Sequence, residues 1–333
     1  MSVILSRNTT LFVSTVESGF TTANTTKLSI LDGYKLTQAS VLNTYSTFRN
    51  ALAPSRLDTK YVKDVELVNL DFRTYVKTKD NAGLKESSDL HLWNALTNNG
   101  TAKFSDRFEI DFVSSKTNTF PDLFIYVNME GDVFKVGKCY IESVNIEFDI
   151  DGIVTTSWKI KALAFTNVAT APATFLDRTE RVGYLKGRLS ILEFNRQAQE
   201  YNLPILGGSI TISNSIVKLS TPIVSQQLAT NLRAKVEGRS VDGSISVYLR
   251  TGKNRSVELL NSMLVAMSTI NDLASITINL GGGTGRRLAI ILPRTIVGLP
   301  QLNLKDVVTT DISLSPVESA IGANDDIQLI YYN

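Results

Sequence analysis

The sequence predicts a mainly β protein made of two similar halves. Three observations predict it. Many short stretches alternate apolar with polar residues, which is the period of a strand. Only two stretches carry apolar residues at helical spacing. The order strands, one helix, strands occurs twice, on either side of a small, polar, proline-containing segment at 166–178 (TNVATAPATFLDR). The 333 residues exceed one average domain, and an apolar share of 43% is enough for a real core. The division expected is a first domain at 1–168 and a second at 178–333.

Taken in order, the first half offers strands at 11–16, 65–76, 107–112 and 122–127. The clearest alternation is 140–151, followed by a turn at Asp151-Gly152 and a return strand at 153–165. The second half offers 185–194, 208–219, 243–249, 275–280, 287–292, 311–315 and 328–332. The first helix is 88–96 (SDLHLWNAL), with a Ser/Asp start and Gly100 beyond its end. The second is 256–270, where Leu259, Leu260, Met263, Leu264 and Met267 form an apolar stripe.

The halves also match in sequence. Ile30-Leu31-Asp32-Gly33 corresponds to Ile205-Leu206-Gly207-Gly208 at an offset of 175, and Phe72-Arg73-Thr74-Tyr75 to Ser246-Val247-Tyr248-Leu249 at 174. In each half the latter strand leads to the only good helix.

Composition excludes several classes. A net charge of +2, from 34 basic and 32 acidic residues, demands neither a nucleic acid nor a membrane. No apolar run approaches the ~18–20 residues of a membrane span. The apolar patch Val3-Ile4-Leu5 is too short for a signal-peptide core, so the sequons at Asn8, Asn24 and Asn99 carry little meaning. The single cysteine, Cys139, and the single histidine, His91, leave no disulfide framework, multi-histidine metal site or evident catalytic constellation. Cys139 reads as a small buried hydrophobe and His91 as a packing or surface residue. The expectation is a non-enzyme without a cofactor or metal.

Two features invite a functional reading. The run Gly281-Gly282-Gly283-Thr284-Gly285-Arg286-Arg287 resembles a phosphate loop, but that loop requires a helix after it, and 288–292 reads as a strand. A hairpin between strands is expected. Gly282, Gly283, Arg286 and Arg287 are then candidates for a contact with a neighbouring subunit or ring. The second feature is the strand at 140–151. Val144, Ile146, Phe148 and Ile150 share one face, and Glu147, Asp149 and Asp151 share the other, ~6.8 Å apart. Such a ladder repels itself and should face water or cations, and it should not adhere to polyanions.

With these residues laid out, the chain resembles the tail tube proteins of T-five-like long-tailed bacteriophages. The stretches that carry the resemblance are 6–16 (SRNTTLFVSTV), 92–96 (LWNAL) on the first helix and 203–214 (LPILGGSITISN), spread in order over both halves. The resemblance implies two tandem tail-tube β-sandwich domains, each with a flanking helix. Three chains would form a pseudo-sixfold ring whose inner strands close one β-barrel. Rings would stack into a non-contractile tube in the virion tail, made in the host bacterial cytoplasm. Implied partners are the chain itself as a homotrimer, a tape measure protein in the lumen, tail terminator and distal tail proteins, and viral double-stranded DNA in transit, with no membrane. Glu147, Asp149 and Asp151 would line the lumen. An immunoglobulin-like C-terminal decoration, present in some members, is expected to be missing because 328–332 is the last strand before the end at Asn333.

Barrel geometry agrees with the implied assembly. About four inner strands per domain give roughly 24 per ring, hence a backbone diameter of about 50 Å and a bore of about 40 Å, wider than a ~20 Å duplex. Roughly 12 strands would give about 26 Å and block it. The competing expectation is a two-domain β-sandwich lectin or adhesin, which the Thr/Asn/Ser-rich strands would fit. Against it, the aromatic share is only 8%, with no cluster of Trp or Tyr to hold a sugar.

Overall fold

The computed structural model describes residues 9–31, 33–46, 58–112, 121–177, 184–187, 191–196, 199–219, 233–266, 273–282, 285–298, 301–303 and 308–332. The described chain is mainly β, with a large sheet that forms a partial ring. The elements before the first helix are β1 Thr9–Ser14, β2 Thr25–Leu28, β3 Lys35–Thr37, β4 Ser40–Ser46, β5 Asp58–Val65, β6 Val68–Tyr75, β7 Thr78–Asn81 and β8 Leu84–Ser87. The helix α1 Leu90–Thr97 is followed by β9 Thr101–Lys103, β10 Arg107–Asp111, β11 Phe124–Met129, β12 Asp132–Asp149, β13 Thr155–Val168 and β14 Leu176–Asp177. Then come β15 Ile191–Arg196, β16 Gln199–Leu219, β17 Arg233–Tyr248 and α2 Ser256–Ala266. The last are β18 Leu273–Leu280, β19 Arg287–Val297, β20 Gln301–Asn303, β21 Thr309–Pro316 and β22 Gln328–Tyr332.

One row of antiparallel strands organises the molecule: β3, β6, β13, β12, β16, β17, β21, β20. Its centre joins the two halves of the sequence, because Ser143–Asp149 of β12 pairs with Gly207–Ser213 of β16. β12 and β16 are long enough to serve a second set of pairings as well. The start of β12 pairs with β11, which pairs with β1. The start of β16 pairs with β15, which continues through β18 and β19 to β22 and β10. The β10–β22 pair is a second link between the halves.

Alternation puts one side of the six central strands of this row, β6, β13, β12, β16, β17 and β21, into the core. Phe72, Trp158, Ile146, Ile210, Ile245 and Ile312 are all at most 2% exposed, and they pack in one cluster with Leu92 and Trp93 of α1. The helix is pinned at its start by an unusual contact. Asp89, preceding Leu90, does not cap its own helix; its carboxylate accepts hydrogen bonds from Thr74 Oγ1 (2.6 Å) and Ser88 Oγ (3.3 Å). Thr74 Oγ1 in turn accepts from Trp158 Nε1 (3.1 Å), so helix and sheet share one buried polar chain.

Several expectations need correction. The strand read at 140–151 runs Asp132–Asp149: it begins earlier, because it also serves β11, and it ends two residues sooner, because Asp149 Oδ1 accepts the Asp151 N–H and closes the turn. Of the strand read at 185–194, Ile191 onward belongs to β15, and 188–190 lie outside the described residues. Leu185 and Gly187 instead hydrogen-bond to Val154 and Gly152, docking 184–187 on that turn. The segment 166–178 is not a free linker over its described residues. Thr166–Val168 still pairs in β13, and β14 runs parallel to β2, with Phe175 4.9 Å from Phe12. Of the second helix, 256–266 is helical, and 267–270 lies outside the described residues. The offset of 174 also fails on geometry. It sets Phe72, which faces the core, against Ser246, whose neighbour Val247 is the buried one; 175 aligns Phe72 with Val247 and keeps the faces.

Candidate functional site

The other face of the eight-stranded row is polar throughout. Rows of directly opposed residues cross the junction between the halves. One row reads Arg73, Ser157, Asn145, Thr211, Asp242; the next reads Tyr75, Thr155, Glu147, Ser209, Ser244, Ser313. Paired residues in an antiparallel sheet share a face, so each row lies on one surface.

Charge is unevenly spread over it. The first half presents Lys35, Asp71, Arg73, Glu147, Asp149, Lys159 and Lys161. The second half presents Asp242 and Asp311 among serines and threonines, including Ser209, Thr211, Ser213 and Ser244. A cavity of about 550 Å³ lies over the first half and is lined by Asp71, Arg73, Asn145, Glu147, Ser157 and Lys159, among others.

Two of the three acids singled out from the sequence stand on this face. Glu147 is half-buried, accepts a hydrogen bond from Asn145 Nδ2 (2.9 Å) and lies 3.4 Å from the Arg73 guanidinium. Asn145 is itself held by Thr211 Oγ1 of the other half (3.1 Å). Asp149 is exposed at the end of β12, and Asp151 is exposed in the turn beyond it, so the three do not form a strand-spaced ladder. Sequence reading missed the counter-charges. Arg73 comes from β6, Lys161 lies 3.3 Å from Glu142, and Lys159 stands directly opposite Asp71. An exposed pair of this kind contributes only about 0–1 kcal/mol. Its effect is on the surface potential.

The glycine-rich segment joins β18 to β19, which pair with each other, so a strand does follow it and a phosphate loop is excluded. Gly281, Gly282 and Gly285 have φ of 101°, 128° and 73°, conformations that favour glycine. Gly283 lies outside the described residues. Arg286 is exposed, while the Arg287 guanidinium sits 3.8 Å from the centre of the Tyr332 ring. A Cβ at Gly281 would lie 3.0 Å from Leu185, whose segment 184–187 docks on the turn that carries Asp151.

His91 is buried on α1. Cys139 is 3% exposed, its Sγ donates to the Val136 carbonyl (3.3 Å), and burial pushes its thiol pKa far up. The thiolate is the reactive form. We expect iodoacetamide at pH 8 to leave Cys139 unmodified in the native protein and to label it fully in denaturant, measured by intact mass. Rapid native labelling would contradict this burial. Among the described residues, no three His, Cys, Asp or Glu side chains are placed to hold a metal ion. No helix among them is long and apolar enough to cross a membrane.

No protein-family model matches the chain. The chain is 24% identical over 352 residues to the tail tube protein pb6 of Escherichia phage T5, a similarity that covers 98% of this chain and 75% of that protein. Similarity along nearly the whole chain, together with the mainly β fold, supports a T-five-like tail tube protein, a structural component of the phage virion tail.

Proposed function

We propose that three copies of this chain close into a ring, that the rings stack into the tail tube, and that viral DNA passes along a lumen lined by the polar face of the β3–β20 row. One observation carries the reading: the row is an antiparallel sheet of eight strands whose central strands are apolar toward the core and polar on the other face, and among the described residues its edge strands β3 and β20 are each paired on one side. An edge paired on one side can take a partner strand on the other. Two copies would make roughly 16 strands and a backbone diameter near 35 Å, too narrow for a duplex once side chains project inward. Three make roughly 24 strands and about 50 Å. Each copy would then contribute two equivalent tail-tube units, 1–168 and 178–333.

The wall so formed would be hydroxyl-rich, with its cations set beside carboxylates. Phosphates adhere to unopposed Lys and Arg, so such a wall favours sliding over binding. A tape measure protein would occupy the same bore during assembly, and tail terminator and distal tail proteins would cap the stack. Purified protein should polymerise into hollow tubes visible by electron microscopy; a small oligomer that never polymerises would defeat the proposal.

The lumen assignment has its own test. Replacing Glu147, Asp149 and Asp151 with lysine should leave the fold intact, since Asp149 and Asp151 are exposed and Glu147 is half-buried outside the core, and should strip Arg73 of its neighbouring anion. DNA ejection from assembled mutant tails should slow at low salt and recover at high salt, as phosphate contacts are screened. Unchanged ejection would place these residues elsewhere.

A further inference from the structure

The two open edges are not equivalent to solvent-facing edges in general: each copies one side of the junction that already exists inside the chain. With β6 set on β17 at the offset of 175 that preserves faces, β5 and β6 together (58–75) fall on β17, and β3 and β4 fall on β16. The pairings agree. β4 pairs with β5 as Ser40↔Val65, and β16 with β17 as Ser213↔Ser240. Carrying the same offset through β6–β13 and β17–β21 sets β13 on β21, and then β12 on the run from the end of β19 through β20. Ser143 corresponds to Gln301, Val144 to Leu302 and Asn145 to Asn303.

The correspondence identifies what is missing. Val144 is fully buried because β16 covers that edge of β12, whereas Leu302, at the same place on the second edge, is 47% exposed. Gln301 and Asn303 beside it are exposed as well. At the opposite end of the row, Lys35, Thr37 and Ala39 are exposed on the edge that corresponds to the β12-facing side of β16.

We infer that the β20 edge of one copy pairs, antiparallel, with the β3–β4 edge of the next copy in the register of the internal junction. In that junction Asn145 faces Thr211 and Ser143 faces Ser213. Ser213 corresponds to Ser40 by the pairing just given, and Ile212 to Ala39, so Gln301 faces Ser40 and Leu302 faces Ala39 of the neighbouring copy. Leu302 is then covered as Val144 is. This rests on the ring reading above and adds the edges and the register to it.

Opposed residues in an antiparallel pair stand about 4.5–5.5 Å apart at Cα, within reach of a disulfide. The variant Ser40→Cys/Gln301→Cys, assembled into tubes and oxidised, should run as covalent dimers and trimers on a non-reducing gel. Lys35→Cys/Gln301→Cys, five residues out of register and so about 17 Å apart, should stay monomeric. Cys139 is buried and takes no part. Should the double variant assemble poorly, co-assembled single variants Ser40→Cys and Gln301→Cys should still give dimers at mixed joints. Tubes without cross-links, or equal cross-linking in the control pair, would overturn the register while leaving the ring intact. Wild-type protein that forms no tubes would overturn both.

Discussion

Trp158→Ala should be the most damaging single truncation in the chain, costing about 3–5 kcal/mol, a large part of the ~5–15 kcal/mol that holds a typical domain folded. Trp158 is 1% exposed in the middle of β13. It stands opposite Phe72 on β6 and Val144 on β12, and its ring meets Trp93 of α1 edge-on at 4.9 Å. Three contributions are lost together: the apolar area of an indole, an aromatic pair of about 0.5–1.5 kcal/mol, and the Nε1–H donated to Thr74. The hole opens between the sheet and the helix, where rigid strands on one side cannot collapse inward. Trp158→Phe isolates the hydrogen bond from the bulk. It should cost far less, since Thr74 keeps its bond to Asp89. Urea unfolding of dissociated subunits measures both. Equal midpoints for the two variants would mean that the polar chain, rather than packing, holds α1 to the sheet.

Trp158 also marks how far the sequence could be read. The alternation around it assigns it to a buried face, and the alternation of Val144, Ile146 and Phe148 does the same for β12. The long core strands, the two helices and the sides of those strands therefore follow from local pattern, whereas short strands such as β2, β9 and β20 do not. The partners do not. Arg73 reaches Glu147 from a distant strand, Thr211 holds Asn145 across the halves, and β10 pairs with β22. Nothing in a local window encodes such pairings, because they depend on which edges meet once the chain has collapsed. The acids on β12 looked isolated for that reason. Two short sequence matches could not fix an offset to one residue; the side on which Phe72 and Val247 are buried distinguishes 175 from 174. An error of one residue in a strand exchanges core and surface, which is why the difference between 174 and 175 matters.

Gly208 is the position where the same logic has its sharpest consequence. In the sequence, Gly207-Gly208 closes a repeated motif, and Gly208 opens the strand read at 208–219. In the structure both lie inside β16, at the junction between the halves, with Gly208 opposite Phe148 on one side and Ile245 on the other. A Cβ at Gly208 would lie 2.3 Å from the Ser244 carbonyl oxygen and 2.9 Å from two carbons of the Phe148 ring. The ring can turn, but the carbonyl belongs to the backbone of the adjacent strand and cannot yield without separating β16 from β17. Gly208→Ala should therefore destabilise by about 1–3 kcal/mol, the usual cost of overpacking, and Gly208→Val by more. An ordinary strand glycine shows the opposite, since alanine loses less conformational entropy on folding. Gly238 on β17, where a Cβ would meet nothing within 4 Å, supplies that control, and Gly238→Ala should be neutral or slightly stabilising. The damage at Gly208 should also spread beyond stability. Its strand carries Thr211 and Ser209 toward Asn145 and Glu147, so tubes that still form should lose regularity at every junction inside a chain. Thermal unfolding of the three variants, with power spectra of their tubes, tests the claim. Gly208→Ala matching the wild type in both would mean that the close approach is not enforced in solution.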